Sequence, residues 1–583
     1  MADNNDVDFS KLAKNEFLKA HSKGLHGSID SEFEDQELKA FTEESVQLLK
    51  HHGTYQQDNR DLRSQLRKAG LDKKYSMMVR TKTPGGVLTA EQYLLCDDLA
   101  EKYGQNDLRI TSRQAFQFHG VIKGDLRPLI HDLNHFQQIS TNGACGDVVR
   151  NVTSSSVSDI DPAFAKIHSN LIALAGRVSD HFLPQSSSYF DLWLDDERVS
   201  VRPDGSIVYK TKEPSKAPDE PIYGERYLPR KFKIGMTIDL DNSIDVFTND
   251  GGVIVKTKDG EIEGFEVLVG GGLGHSHSKT ETYARLATPL TFVKTEDEVV
   301  EVMEGVVKAQ RDHGNREHRH LARLKYTIDS MGEFAFKKAV EAHIGRQLPE
   351  PKNVKPHAQP DYLGWHKQQQ EGLNYVGVWV ENGRIRDFEG SFQFKTGLRK
   401  IVDQFKPSVR LTAHHNIVLA NIADADKAAI QALLDEHKIP TDKGISPLRR
   451  LEMACPALPL CGLALSEAER ELPKIIEKIE ELGHADANVI IRMTGCPNSC
   501  ARPETAEIGI IGRGPNKYNL YAGADPLGTR MNFLIAESVV GEDVAPKICS
   551  MLSAWKAEQN GHRVSFGDWA NGKGVEALQQ LLN

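Results

Sequence analysis

The sequence predicts an α+β (mixed α/β) fold with a pseudo-twofold duplicated architecture, each half a small α/β unit followed by a larger one. Three observations lead there. A strand–helix–strand pattern between Ser76 and Gly120 returns in the second half between positions 376 and 422. Within it, L-R-I-T-S-R-Q (108–114) aligns with V-R-L-T-A-H-H (409–415), setting Arg109 on Arg410, Thr111 on Thr412 and Arg113 on His414. F-E-V-L-V-G-G-G-L-G (265–274) echoes Y-N-L-Y-A-G-A-D-P-L-G (518–528), each a strand running into a glycine-rich turn. Self-similarity of this kind is an architectural signal, and two copies indicate paired halves, not a solenoid.

In chain order, residues 1–70 read as a polar, partly helical arm. The first small unit, 71–145, opens on the apolar run S-M-M-V-R and turns at P-G-G (84–86). Leu94, Leu95 and Leu99 then give Ala90–Lys102 helical spacing, and L-R-I-T-S-R-Q-A-F-Q-F-H-G returns as a strand entering a loop. A larger unit covers 146–347. The segment 348–435 begins with a linker marked by Pro349, Pro351, Pro356 and Pro360. The second small unit follows: a strand and turn at 376–385, a helix at 396–405 and a closing strand at 409–422. A further join near Pro440–Pro447 leads into the last unit, 436–583.

Composition bounds the function. Hydrophobic content of 39% and charged content of 26% are ordinary for a soluble globular chain. The net charge of −10 argues against a nucleic-acid-binding surface, so any basic patch has a local purpose. No apolar run is long enough for a membrane span. The acidic start MADNNDVDFSKLAKNEF resembles neither a signal nor a transit peptide. With only 7 cysteines in 583 residues a disulfide framework is not expected, which points to a reducing, cytoplasmic setting.

Four of those cysteines carry chemistry. They form C-x5-C (Cys455, Cys461) and C-x3-C (Cys496, Cys500), with Pro456, Pro497 and Gly495 placing them on turns. Thiolates so gathered bind zinc or an iron–sulfur cluster. The wider C-x5-C suits a [4Fe–4S] cubane better than zinc, which prefers shorter spacings. Cys96, Cys145 and Cys549 read as small buried apolar residues. The cations Arg80, Arg109, Arg113, Arg150 and the L-P-R-K-F-K run (Arg230, Lys231, Lys233) are either solvated faces or an anion site. Lys231 and Lys233 point the same way in an extended segment. Gly270, Gly271, Gly272 and Gly274 match no dinucleotide fingerprint and read as a turn, and the histidines of G-H-S-H-S (274–278) as surface.

Taken together, H-G-T-Y-Q-Q-D-N-R-D (52–61), R-T-K-T-P-G-G, R-I-T-S-R-Q-A-F-Q-F-H-G, L-P-R-K-F-K, Q-R-D-H-G-N-R and the cysteine motifs resemble the sirohaem-containing sulfite and nitrite reductase family over nearly the whole chain. The assimilatory sulfite-reducing haemoproteins are the most alike. The resemblance implies ferredoxin-like half-domains at 71–145 and 348–435, and two larger sirohaem and [4Fe–4S] domains at 146–347 and 436–583. It implies a [4Fe–4S] cluster on Cys455, Cys461, Cys496 and Cys500, with Cys500 also the axial ligand of the sirohaem iron. By similarity Arg109, Arg113, Gln117, Arg230 and Lys325 hold the macrocycle, with Asn498 nearby. Arg80, Arg150, Lys231 and Lys233 face the distal side, where the arginines bind sulfite and the lysines deliver protons.

Two positions depart from the family's pattern. Val149 stands where Asn is frequent, which puts hydrogen bonding near the cofactor or substrate in question, and His414 replaces the repeat partner of Arg113, so cofactor binding is expected in one half only. Some relatives join a Tyr and a Cys beside the haem, and Tyr55 and Cys145 occupy similar motifs. The alternatives are a nitrite reductase built on the same centre and, more remotely, a non-catalytic zinc or iron–sulfur module. The expected partners are sulfite and an electron-donor protein, either an NADPH-dependent flavoprotein subunit or ferredoxin. The polar arm tips this towards the flavoprotein, although Y-L-G-W-H and G-A-C-G-D look nearer the ferredoxin-using type.

Overall fold

The computed structural model describes residues 7–164, 171–194, 199–201, 207–209, 220–559 and 564–582. Four five-stranded sheets form two matched pairs. The first small sheet runs, edge to edge, Thr54–Asp58, Tyr75–Arg80, Phe116–Val121, Leu108–Ile110 and Arg384–Ile385, all antiparallel. Its counterpart runs Gly364–Lys367, Leu373–Val378, Ile417–Ala423, Ser408–Leu411 and Val87–Leu88. Each sheet is thus completed by a two-residue strand from the other half: Arg384 pairs with Arg109, and Val87 with Arg410. The exchange begins at two tight turns with positive φ. Gly85 and Gly86 (φ 66° and 76°) form one; Asn382 and Gly383 (φ 49° and 75°) form the other. Both turns use residues that tolerate the left-handed region.

The helices lie where the apolar spacing puts them. Ala90–Tyr103 starts at a capping box between Thr89 and Gln92, and Phe394–Phe405 is its counterpart. Strand Thr54–Asp58 sits within the segment read from sequence as arm, and it forms the edge of the first sheet.

The larger sheets repeat each other strand for strand. One runs Thr153–Ser154, Ile234–Ile238, Gly251–Lys258, Glu261–Val269, Thr288–Val293. The other runs Met453–Ala454, Ile491–Thr494, Ile508–Gly514, Lys517–Ala522, Phe533–Val540. In both, the first two neighbour pairs are parallel and the last two antiparallel. The strands Glu261–Val269 and Lys517–Ala522, whose glycine-rich ends first suggested the echo, hold the same place in each. One hydrophobic core extends from Leu25 to Ile439 and a second from Leu448 to Leu582. Among the described residues no helix is long and apolar enough to cross a membrane.

Candidate active site

Strand register builds the first wall. Arg80 lies opposite Gln117, Gln117 opposite Arg109 and Arg109 opposite Arg384, so four polar side chains cross the first sheet in one row. With its amide oxygen turned towards Arg80, Gln117 accepts from Arg80 Nε at 3.2 Å. Arg109, 1% exposed, reaches away to the cysteine domain: Nη2 donates to the Ala454 carbonyl at 2.6 Å, and Nε lies 3.1 Å from Glu469. It therefore braces the strand entering Cys455. Arg113 fans onto oxygens of the large first domain: Asn249 Oδ1 (2.5 Å), the Ile234 carbonyl (2.6 Å) and the Asn151 carbonyl.

The second wall is a two-stranded frame. Leu228 N donates to Asp147 O (3.0 Å), Phe232 N to Val148 O (3.1 Å) and Arg150 N to Phe232 O (2.9 Å). Alternation sends Val149 and Phe232 into the core and leaves Arg150, Lys231 and Lys233 facing away from it. Val149 therefore contributes packing, and its backbone N–H donates to the Tyr223 hydroxyl at 3.1 Å. The departure from Asn costs the recess no direct contact. Arg150 also stands 3.5 Å from the Tyr55 hydroxyl, whose pKa is raised by burial, with Cys145 close enough to add to the rise.

The third wall carries the cysteines. Cys455 and Cys496 are buried, Cys461 is half-buried and Cys500 is exposed into a recess lined by Ser112, Arg113, Lys233, Asn249, Arg323, Asn498 and Arg502. The Gly270–Gly274 segment lies against this loop: His275 N donates to Pro497 O at 2.8 Å. A Cβ at Gly271 would strike the Phe247 and Asn249 carbonyls, so only glycine lets the chain pass. Lys325 is engaged under the same segment, donating to Gly272 O (2.8 Å), Gly274 O (3.0 Å) and Tyr283 O. It holds the loop instead of projecting into the recess. His275 is half-buried and lies 3.7 Å from Glu504, so it is not the plain surface histidine its serine neighbours suggested.

Electrostatics show what this arrangement is poised to hold. After burial itself, what each of four cations feels most strongly is another cation. Lys231 is pushed well below the lysine range by burial and Arg230, and Lys233 to about 7 by burial and Arg323. Arg230 is lowered to about 10 by burial and Arg319, and Arg113 to about 9 by burial and Arg502. Such a group fits an anionic cofactor and an anionic substrate that relieve the repulsion. The thiols repel likewise: burial and Cys500 push Cys455 well above its usual value, and Cys496 to about 12. Gly495 N donates to Cys455 Sγ at 3.3 Å, and Asn498 Nδ2 lies 3.6 Å from Cys496 Sγ. Among the described residues no three His, Cys, Asp or Glu side chains converge on a single-ion site. Four mutually disfavoured thiolates fit a multi-iron cluster that neutralises them together.

The site thus unites Arg113, Lys233, Asn498 and Cys500 in one recess, with Arg80, Arg150, Arg230 and Lys231 around it. Arg323, Arg502 and Asn249 were not singled out from sequence. Arg502 carried a signal, since it follows Cys500-Ala501 directly. In the second half His414, the counterpart of Arg113, is buried 3.4 Å from Arg492, which pairs with Asp245 at 2.6 Å. An internal ion network fills the equivalent place.

The comparisons agree with this geometry. Residues 70–136 and 366–437 both match the family described as "Nitrite/Sulfite reductase ferredoxin-like half domain". Residues 178–348 match "Nitrite and sulphite reductase 4Fe-4S domain". The cysteines lie outside that last match, on loops beside the sheet that repeats its strand order. The chain is 41% identical to the "Sulfite reductase [ferredoxin]" of Synechococcus elongatus, over 98% of this chain and 91% of the relative. It is 40% identical to the "Sulfite reductase [NADPH] hemoprotein beta-component" of Anoxybacillus flavithermus, over 96% and 95%. The solved structure of Mycobacterium tuberculosis NirA protein shares the fold, with a TM-score of 0.76 over 97% of both chains at 21% identity. The duplicated sheets, the four cysteines and these full-length likenesses agree: the chain belongs to the nitrite and sulfite reductase family.

Proposed function

We propose that the chain is an assimilatory sulfite reductase haemoprotein that reduces sulfite to sulfide at a sirohaem coupled to a [4Fe–4S] cluster. The observation that carries this reading is the convergence of buried and half-buried, mutually repelling cations on the recess at Cys500. Both curated relatives described above act on sulfite by name, so nitrite is not the favoured substrate. Cys455, Cys461, Cys496 and Cys500 would hold the cluster, and Cys500 the sirohaem iron as well. Gln117, Arg113, Arg230 and Asn498 would hold the macrocycle, with Arg109 and Lys325 bracing the walls through Ala454 and the glycine segment. When bound, these groups supply one-electron transfers that sum to the six electrons of the reaction.

The chain supplies position, charge and protons. Arg80 and Arg150 bind the anion; one cation at ~4 Å contributes about 4 kcal/mol at an effective dielectric of 20. Each sulfite oxygen must leave as water and needs protons to do so. Lysines with lowered pKa surrender protons readily, and arginines do not. Lys231 and Lys233 are therefore the proton donors. Electrons come from a separate protein, a flavoprotein subunit or ferredoxin, in a cytoplasmic setting. The relatives include both donor types, and the polar N-terminal arm leans the choice towards the flavoprotein.

The deciding experiment is visible absorption of the purified protein, followed by kcat/KM for sulfite and nitrite with an artificial reductant. Haem bands and a ratio favouring sulfite are expected; a colourless protein with stoichiometric zinc overturns the reading. A pH dependence follows from Lys233. Its pKa of about 7 means that the free enzyme carries this charge below pH 7 and loses it above. Sulfite kcat/KM should accordingly fall as pH rises through about 7. Lys233→Arg keeps the charge and should flatten this limb; the substrate's own ionisation is common to both enzymes.

A further inference from the structure

The N-terminal helix Lys14–His21 has no part in the site described above, yet two of its charged side chains are almost fully buried: Glu16 at 1% exposure and Lys19 at 2%. Lys19 Nζ lies 2.7 Å from Glu16 and 3.4 Å from Asp147, and donates to the Leu228 carbonyl at 2.6 Å. Arg319 closes a fork on Asp147, Nη1 to Oδ2 at 2.8 Å and Nη2 to Oδ1 at 3.0 Å, and Nη1 also reaches Pro229 O at 3.3 Å. Arg316 pairs with Glu16 and donates to Tyr227 O at 2.8 Å. Ala13 N, at the start of the helix, donates to Arg316 O at 2.9 Å.

The carbonyls of Tyr227, Leu228 and Pro229 are therefore each held by a different cation of one network. The next two residues are Arg230 and Lys231. At the network's other end, Asp147 begins the strand that presents Arg150. A buried ion network is a poor device for stability alone, because apolar side chains of similar volume do as well or better. It does fix backbone position. A segment whose Leu228 N–H is held by Asp147 O and whose carbonyls are held by cations determines where the following side chains point.

We propose that Glu16, Lys19, Arg316 and Arg319, acting through Asp147 and these three carbonyls, are positioning residues for Arg150, Arg230 and Lys231, the cations that bind sulfite, hold the macrocycle and donate protons. The N-terminal helix is then part of the active-site framework. This rests on the recess being the sulfite site, and none of the four residues touches substrate.

The test uses the cofactor-loaded enzyme with an artificial reductant. Lys19→Met should lower kcat/KM for sulfite by about 10-fold or more with both cofactors retained, since an error of about 1 Å in a positioned group can cost up to 10²-fold. Combined with Lys231→Ala, it should add much less than it costs alone, because the side chain it positions is already gone. If Lys19→Met does not fold, Arg319→Lys decides by the same readouts: it keeps the charge, loses the fork and sits at a partly exposed position. Unchanged kcat/KM in a loaded, folded variant, or full additivity with Lys231→Ala, overturns the proposal even if Tm has dropped. A wild-type enzyme that fails to reduce sulfite overturns the assignment of the recess instead.

Discussion

In a Cys500→Ser variant, sulfite turnover should fall by more than about 100-fold, beyond the loss expected from removing an outer partner of a metal ligand. Cys500 is the one exposed member of the four, and it opens on the recess where Arg113, Lys233 and Arg502 meet. Its charge is also the strongest sulfur neighbour felt by Cys455, Cys461 and Cys496. A hydroxyl there is a far weaker ligand than a thiolate and could not make the link between the two centres proposed for Cys500. The measurement is steady-state turnover with iron content and electronic coupling between the centres by magnetic spectroscopy. Normal turnover, or centres that stay coupled, refutes the bridging role. Cys549→Ser is the control: that thiol lies on helix Gly541–Ala557, away from the site, and its loss should leave turnover unchanged.

The Lys231→Ala enzyme should retain both cofactors and lose about 10²-fold or more in kcat for sulfite, the lower range for a missing general acid. The reason lies in the frame that carries it. Phe232 is locked into the core between Lys231 and Lys233, so the two ammonium groups stand on one side with little freedom to move away from each other. Burial first, then Arg230 and Lys233, keep Lys231 well below the ordinary lysine range, and an incoming anion opposes that shift. Lys231→Arg separates charge from proton supply: anion affinity should survive while kcat does not. Loss of the macrocycle from Lys231→Ala would instead make this residue part of the cofactor's own binding site.

The duplication was readable because long strands and helices impose periods, as in Ala90–Tyr103 and Phe394–Phe405. The exchanged strands Val87–Leu88 and Arg384–Ile385 were not, because two residues carry no period and their partners are distant in sequence. Chemistry-bearing types were equally legible: four cysteines and the R-K-F-K run name their own purpose. What Arg109 and Lys325 do was hidden, because their partners are backbone carbonyls, which every residue has. The same holds for Lys19, whose position in a polar arm suggests solvent although the fold buries it.

The two exchanged edge strands set a timetable for synthesis. Until residues 384 and 385 leave the ribosome, the first small sheet has Leu108–Ile110 as an open edge, although everything else in that sheet has already been made. An unpaired strand edge is a template for wrong partners, and pairings so remote in sequence form slowly. The nascent chain therefore carries an unsatisfied edge through nearly half of its translation. Severed between the halves, each fragment would lack the strand that closes its own sheet, and neither should persist alone. Supplied together, they should complete each other, so that what looks like a duplicated gene product behaves in folding as an obligate heterodimer that happens to be covalently joined.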